Sequence, residues 1–185
     1  MPFLWSRTSP IRQVTPVEFS RLCDAFQQDL IEWFVLGARS QEQLKWNNRI
    51  AAALALSKFS FGSDYFTCVI GRKPVGIAAV TRTDGCYIDI GLLATHPGQQ
   101  GAGSILIEHI VNFWPPQSFH LELAPLSDAR PFYLRLGFET LGSRDMRLDV
   151  TKSPQWVRLG GKWRLAAYVH LPFYAAVVDA VPAAP

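Results

Sequence analysis

The sequence predicts a mixed α/β (α+β) fold, a largely antiparallel central sheet flanked by helices. Two observations carry this expectation. The hydrophobic period changes from helical to alternating near residue 65, and short strand signals then intersperse with helical ones. The order read off the chain is helix, helix, three-stranded meander, helix, strand, helix and strand pair.

A short strand is expected at Ile11 to Val14. Thr15-Pro16-Val17-Glu18 follows as a helix start, with Thr as N-cap, Pro at the first helical position and Glu closing a capping box. Phe19, Leu22, Cys23, Phe26, Leu30, Trp33 and Phe34 recur at spacings of three and four, the apolar stripe of an amphipathic helix ending near Gly37. Ser40 and Gln43 repeat the box ahead of a second helix, about Gln41 to Ser60.

Tyr65 to Ile70, Val75 to Thr81 and Cys86 to Thr95 read as a meander, with turns at Gly71-Arg72-Lys73-Pro74 and Asp84-Gly85. Gly103 to Trp114 reads as a helix stopped by Pro115-Pro116. Phe119 to Leu123 is a strand. Ser127 is expected to cap a helix running to about Leu136, which Gly137 ends. Phe138 to Leu141 and Met146 to Val150 close the order as a strand pair. Residues 1–150 are thus one domain. Residues 151–185 are expected as an extension of it, a hairpin turning at Gly160-Gly161 and then a tail, too small to hold a core alone.

Composition narrows the function classes. The chain has 185 residues, 49% hydrophobic, which suits a packed globule. The net charge of +3 is dispersed without a dense basic run, which argues against nucleic-acid binding. Cys23, Cys68 and Cys86 are widely spaced and form no Cys-x-x-Cys, so neither a zinc site nor any other metal is expected. Three isolated cysteines also suit a reducing cytoplasm better than a disulfide framework. The N-terminus does not read as a signal peptide. The apolar runs Ile50 to Leu56 and Phe173 to Val181 are well short of the ~20 residues that span a bilayer, so no membrane partner is expected.

The informative segment is Asp89 to Leu106, DIGLLATHPGQQGAGSIL. A strand enters a glycine-rich connection and then a helix, and free N–H groups at that helix start favour a phosphate. The run His96 to Gly103, HPGQQGAG, resembles the acetyl-CoA pyrophosphate loop of the GNAT superfamily of N-acetyltransferases, His-Pro-x-x-Arg/Gln-Gly-x-Gly. Pro131 to Glu139, PFYLRLGFE, resembles that family's Phe-Tyr-x-x-x-Gly-Phe signature, and the element order agrees over about Ile11 to Val150. Ile105 stands where the family usually has Gly or Ala. No Asn lies between the Phe119–Leu123 strand and Tyr133, where Ser127 is the nearest polar substitute.

The resemblance implies a GNAT-like sheet and an acetyl-CoA-dependent transfer to a primary amine, by direct attack in a ternary complex. It places acetyl-CoA between Cys86–Thr95 and Phe119–Leu123. Backbone groups of Leu93, Ala94 and Thr95 would meet the pantetheine. Gln100, Gly101, Ala102, Gly103 and Ser104 would meet the pyrophosphate, with Ser127 and Tyr133 further contacts. It also implies Tyr133 as proton donor to the leaving CoA thiolate, Asp89 as base or ammonium holder, and Glu122 as the rival carboxylate. His96 belongs to the loop for structural reasons on this reading, and His109 to the polar side of its helix. The acceptor amine, small molecule or protein, is not legible. Two other readings stay open: a GNAT-like acetyl-CoA-binding or non-catalytic regulatory module, and a modifier of aminoacyl-tRNA. The C-terminal extension is a candidate homodimer surface.

Overall fold

The computed structural model describes residues 10–37, 41–57, 62–70, 72–83, 87–96, 101–114 and 120–169. The expected turns at Asp84-Gly85 and Pro115-Pro116, together with Cys86, Gly98, Gln100, His170 and the run Phe173 to Val181, lie outside them, as do the side chains of Trp33 and Phe34.

The elements follow the expected order. They are β1 (Ile11–Val14), α1 (Pro16–Gly37), α2 (Gln41–Ser57), β2 (Asp64–Ile70), β3 (Lys73–Thr83), β4 (Tyr87–Thr95), α3 (Ala102–Phe113) and β5 (His120–Leu123). Then come α4 (Arg130–Arg135), β6 (Glu139–Leu141), β7 (Asp145–Leu148), β8 (Trp156–Leu159) and β9 (Lys162–Leu165). Seven strands form one sheet in the order β1-β2-β3-β4-β5-β7-β6, while β8 and β9 pair separately. β2 with β3, β5 with β7 and β6 with β7 are antiparallel, and β4 with β5 is parallel.

Local chemistry accounts for several boundaries. The Thr15 hydroxyl accepts the Glu18 N–H at 3.2 Å, the expected N-cap of α1. Gly160 and Gly161 have φ of 56° and 82°, the positive values that a two-residue hairpin turn requires. Ser127 corrects the expectation. It does not cap a helix; it opens a short 3₁₀ turn, Ser127–Ala129, its hydroxyl lying 3.3 Å from the Asp128 carboxylate. The α-helix starts only at Arg130, where Pro131 fits the first turn because its missing N–H is not needed there.

The described residues gather into two compact units, one of residues 12–81 with 90–106, the other of 1–11, 82–89 and 107–185. In the first, Phe19, Cys23, Phe26 and Leu30 of α1 pack with Ile50 and Leu54 of α2, Ile77 and Ala79 of β3, and Leu92 and Ala94 of β4. The predicted stripe is therefore the buried face of α1. In the second, Leu121 stands opposite Leu148, and Leu123 opposite Met146, all of them buried.

The second unit also shows how β8 and β9 are held. Glu108 of α3 is fully buried; its two oxygens accept the Arg164 guanidinium and the Leu165 N–H, each at 3.1 Å. Asn112, one turn later, donates to the Trp163 carbonyl and accepts the Trp163 N–H, both at 2.8 Å. Two side chains of α3 thus supply the hydrogen bonds that a neighbouring strand would give β9. The Trp156 indole N–H reaches the Leu136 carbonyl at 2.7 Å.

This attachment overturns a second expectation. His109 is not on a polar helix face but buried, its ring 5.7 Å from Phe113. Burial first, then the positive charge of Lys162, pushes its pKa down to about 4. No helix among the described residues is long and apolar enough to cross a membrane.

Two stability measurements check these anchors. Arg164→Met should cost about 3 kcal/mol or more in urea unfolding, because it strands the buried Glu108 carboxylate. A loss below about 1 kcal/mol would show that the pair does not anchor the hairpin. For His109, the unfolded chain binds the proton near pH 6.5 and the folded chain only near pH 4. Its contribution is therefore complete above pH 6.5 and is lost as pH falls toward 4, to a total of about 3 kcal/mol. His109→Leu should flatten that slope; an unchanged slope would assign it to other groups.

Candidate functional site

Strand register assembles the first part of the site. Tyr87, Ile88 and Asp89 of β4 pair in parallel with His120, Leu121 and Glu122 of β5, and Glu122 faces Arg147 of β7. Successive side chains on a strand point to opposite faces. Ile88, Leu121 and Leu148 are buried, so Tyr87, Asp89, His120, Glu122 and Arg147 share the other, half-buried face. The sequence-predicted carboxylates Asp89 and Glu122 are thereby brought side by side.

Their surroundings differ. Glu122 Oε1 accepts Arg147 Nε at 2.8 Å and lies 2.6 Å from Arg147 Nη2 and 3.1 Å from His120 Nε2. Arg147 and His120 thus converge on one Glu122 oxygen. Asp89 makes no hydrogen bond or ion pair among the described residues. Burial raises its pKa first, then the negative charges of Glu122 and Asp145. Of the two, Asp89 is the carboxylate in an environment that increases basicity.

Tyr133 lies on α4 in the same unit and is buried, 7% exposed. Its ring meets Phe132 and Phe138 edge-on, with centroids 5.0 and 5.3 Å away. Burial moves its pKa further above the ordinary phenol value, so the hydroxyl keeps its proton at neutral pH. Gly137 ends the Phe-Tyr-x-x-x-Gly-Phe run with φ of 86°; a Cβ there would collide with Ser153 and Gln155, so only glycine fits. Ser127, by contrast, is exposed.

The other unit holds the remaining sequence-predicted cofactor residues. The β4–β5 pairing ends at Asp89 and Glu122, and β4 runs on through Leu93 and Ala94 to Thr95. Gly101 has φ of 96° and leads into α3, which begins at Ala102. Ala102, Gly103 and Ser104 are buried in its first turn. A Cβ on Gly76 of β3 would meet Leu106 Cδ1 at 2.8 Å and Ala102 Cβ at 3.5 Å. The start of α3 therefore sits tightly on β3. Ile105, which replaces a small residue of the motif, is half-buried, and its N–H returns to the Gly101 carbonyl at 3.1 Å.

The sequence reading missed Arg147 and left His120 without a partner. A signal existed: Arg147 lies between the apolar Met146 and Leu148, so a strand there turns it to the face opposite theirs. Choosing Glu122 as its partner needed the β5–β7 register, which alternation alone does not supply.

No family model and no curated protein matches the chain. Solved structures do. A GNAT-family acetyltransferase from Staphylococcus aureus Mu50 is 14% identical over 74% of this chain and 96% of its own, with a TM-score of 0.49. The PaiA N-acetyltransferase from Thermoplasma acidophilum, in complex with coenzyme A, is 15% identical over 74% and 95%, with a TM-score of 0.46. A GNAT-family acetyltransferase from Brucella melitensis, in complex with acetyl-CoA, is 18% identical over 75% and 85%, with a TM-score of 0.42. The likeness is to GNAT acetyltransferases, and it concerns fold.

The environment of Asp89 makes a prediction that needs no substrate. A carboxyl whose folded pKa is raised opposes folding once pH exceeds that value. Asp89→Asn should therefore stabilise the chain at neutral pH, by up to ~1 kcal/mol after allowance for solvent screening. The gain should vanish below pH 4, where the carboxyl is protonated in both states. Equal stability at pH 7 would mean that the charge carries no such cost.

Proposed function

We propose that the chain is an acetyl-CoA-dependent N-acetyltransferase that moves an acetyl group to a primary amine by direct attack in a ternary complex. The observation that supports it best is the content of β4. One part of the strand carries Asp89, a half-buried carboxylate with no side-chain partner among the described residues, where its pairing to β5 ends. The other leads into the glycine-rich connection ahead of α3. The start of α3, Gly101 to Ser104, is where the pyrophosphate would be held, at free N–H groups of a helix N-terminus.

The chemistry follows from the side chains. The attacking amine must be neutral. For a lysine-like amine of pKa about 10.4, deprotonation at pH 7 costs roughly 4–5 kcal/mol; for an α-amino group near 7.8 it costs about 1. Asp89 accepts that proton directly or through a water, and its raised pKa suits it to the task better than an ordinary Asp. Asp89 also suits the role of holding the ammonium before attack, while Glu122, engaged by Arg147 and His120, contributes to the raised Asp89 pKa. The Leu93–Thr95 backbone is available to the pantetheine, and a main-chain N–H there could stabilise the charge developing on the thioester oxygen, typically worth ~10²–10³ in rate. The Tyr133 hydroxyl, kept protonated by burial, donates to the departing thiolate. Gln100 and Ser127 complete the cofactor contacts that the motif suggests.

The test is to incubate the chain with acetyl-CoA and a panel of amines and identify products by mass. An acetylated amine should form, and Tyr133→Phe should lower kcat by about 10–10³ while leaving CoA binding nearly intact. Binding without any transfer would favour the non-catalytic reading. A Tyr133→Phe variant with wild-type kcat would remove the hydroxyl from the mechanism.

A further inference from the structure

The connection between β4 and α3 has described ends, and β3 fastens both. The His96 N–H donates to the Val75 carbonyl at 2.8 Å. The first turns of α3 pack on the next residue, Gly76, at the approach given above. The β2–β3 ladder slips at this point: Cys68 faces Gly76 and Val69 faces Pro74, which leaves Val75 over. Such bulges redirect a strand locally. Pro74 has no N–H for a ladder, which accounts for the slip here.

Main-chain fastening does not fix the His96 side chain; α1 supplies that restraint. The imidazole is buried, 8% exposed, and meets Phe26 edge-on with centroids 6.4 Å apart. Its Nε2 lies 3.4 Å from Asp29 Oδ2, and the other Asp29 oxygen accepts Lys73 Nζ at 2.9 Å. Asp29 stands between the buried Phe26 and Leu30 on the packed side of α1, where a carboxylate has no packing role. Its two cationic or N–H partners come from the start of β3 and the end of β4. One carboxylate thus ties α1 to both strands that fasten the connection.

We infer that Asp29 is a positioning residue for acyl-CoA binding, acting through His96. The inference rests on the acetyl-CoA reading above. It also gives His96 a role other than base. A ring nitrogen that faces a carboxylate carries the proton, so it offers no lone pair on that side to a substrate amine. Burial first, then Lys73, lowers the His96 pKa against the opposing pull of Asp29, which keeps the ring neutral at physiological pH. With Asp29 gone, the end of β4 loses one tie to α1, and holding that end in place costs part of the CoA binding energy. That cost falls equally on ground and transition states, so it weakens affinity and spares kcat.

The experiment measures the Kd for CoA by calorimetry, and KM and kcat with acetyl-CoA as the varied substrate, for the full wild-type chain, Asp29→Asn and Asp29→Ala. Asp29→Ala should raise Kd and KM by about five- to twentyfold, and Asp29→Asn, which keeps the shape and one acceptor, by about two- to fivefold. Both should keep kcat within about twofold. If wild type binds CoA and Asp29→Asn binds it equally well, Asp29 does not position the connection, although the acetyl-CoA reading stands. A fall in kcat with KM unchanged would equally exclude the positioning role. Should Asp29→Ala fail to fold, Asp29→Asn decides alone. A wild type that binds no CoA would remove the acetyl-CoA reading and this inference together.

Discussion

The register of β4 against β5 is the constraint on which the candidate chemistry depends. It spans only Tyr87 to Asp89 opposite His120 to Glu122, and it stops at the two carboxylates. Among the described residues, the Arg147 guanidinium bonds Glu122 and not Asp89. The pair is thereby split into two roles: one carboxylate fixed by hydrogen bonds, the other left with a raised pKa. Pairs whose environments push them apart are a recurrent way of assigning base and electrostatic partner within one site. A one-residue slip of β5 would turn Glu122 to the buried face and undo the arrangement.

Side chains on helices serve this strand system. Glu108 and Asn112 of α3 complete the edge of β9, and Asp29 of α1 reaches the first residue beyond β4. In each case a polar group sits on a face otherwise given to apolar packing, and in each case its partners include groups on or beside a strand. A buried carboxylate such as Glu108 is expensive without such partners, and its presence on α3 is accounted for by what it holds in place.

Much of the fold was legible because its signals are local. The Thr15 N-cap, the α1 stripe from Phe19 to Leu30 and the Gly160-Gly161 turn each depend on a few nearby residues, and each stands where the sequence puts it. Ser127 misled because a polar residue before a helix resembles a cap, whereas a 3₁₀ turn intervenes and moves the N-cap two residues on, to Ala129. His109 misled because its helix looks amphipathic alone, whereas in the fold its ring is buried. Of the site, Asp89, Glu122 and Tyr133 were legible as residues. That Asp89 and Glu122 adjoin, and that Arg147 and His120 hold only Glu122, follows from cross-strand register, which no local pattern states.

The central claim is that the β4–α3 segment binds an acyl-CoA thioester, and calorimetric titration of the full chain with CoA tests it most directly. Saturable binding is expected at one site per chain, with a micromolar-scale Kd that weakens as salt rises, because a pyrophosphate is being held. Absence of binding heat, with CoA also failing to raise the melting temperature, would contradict it.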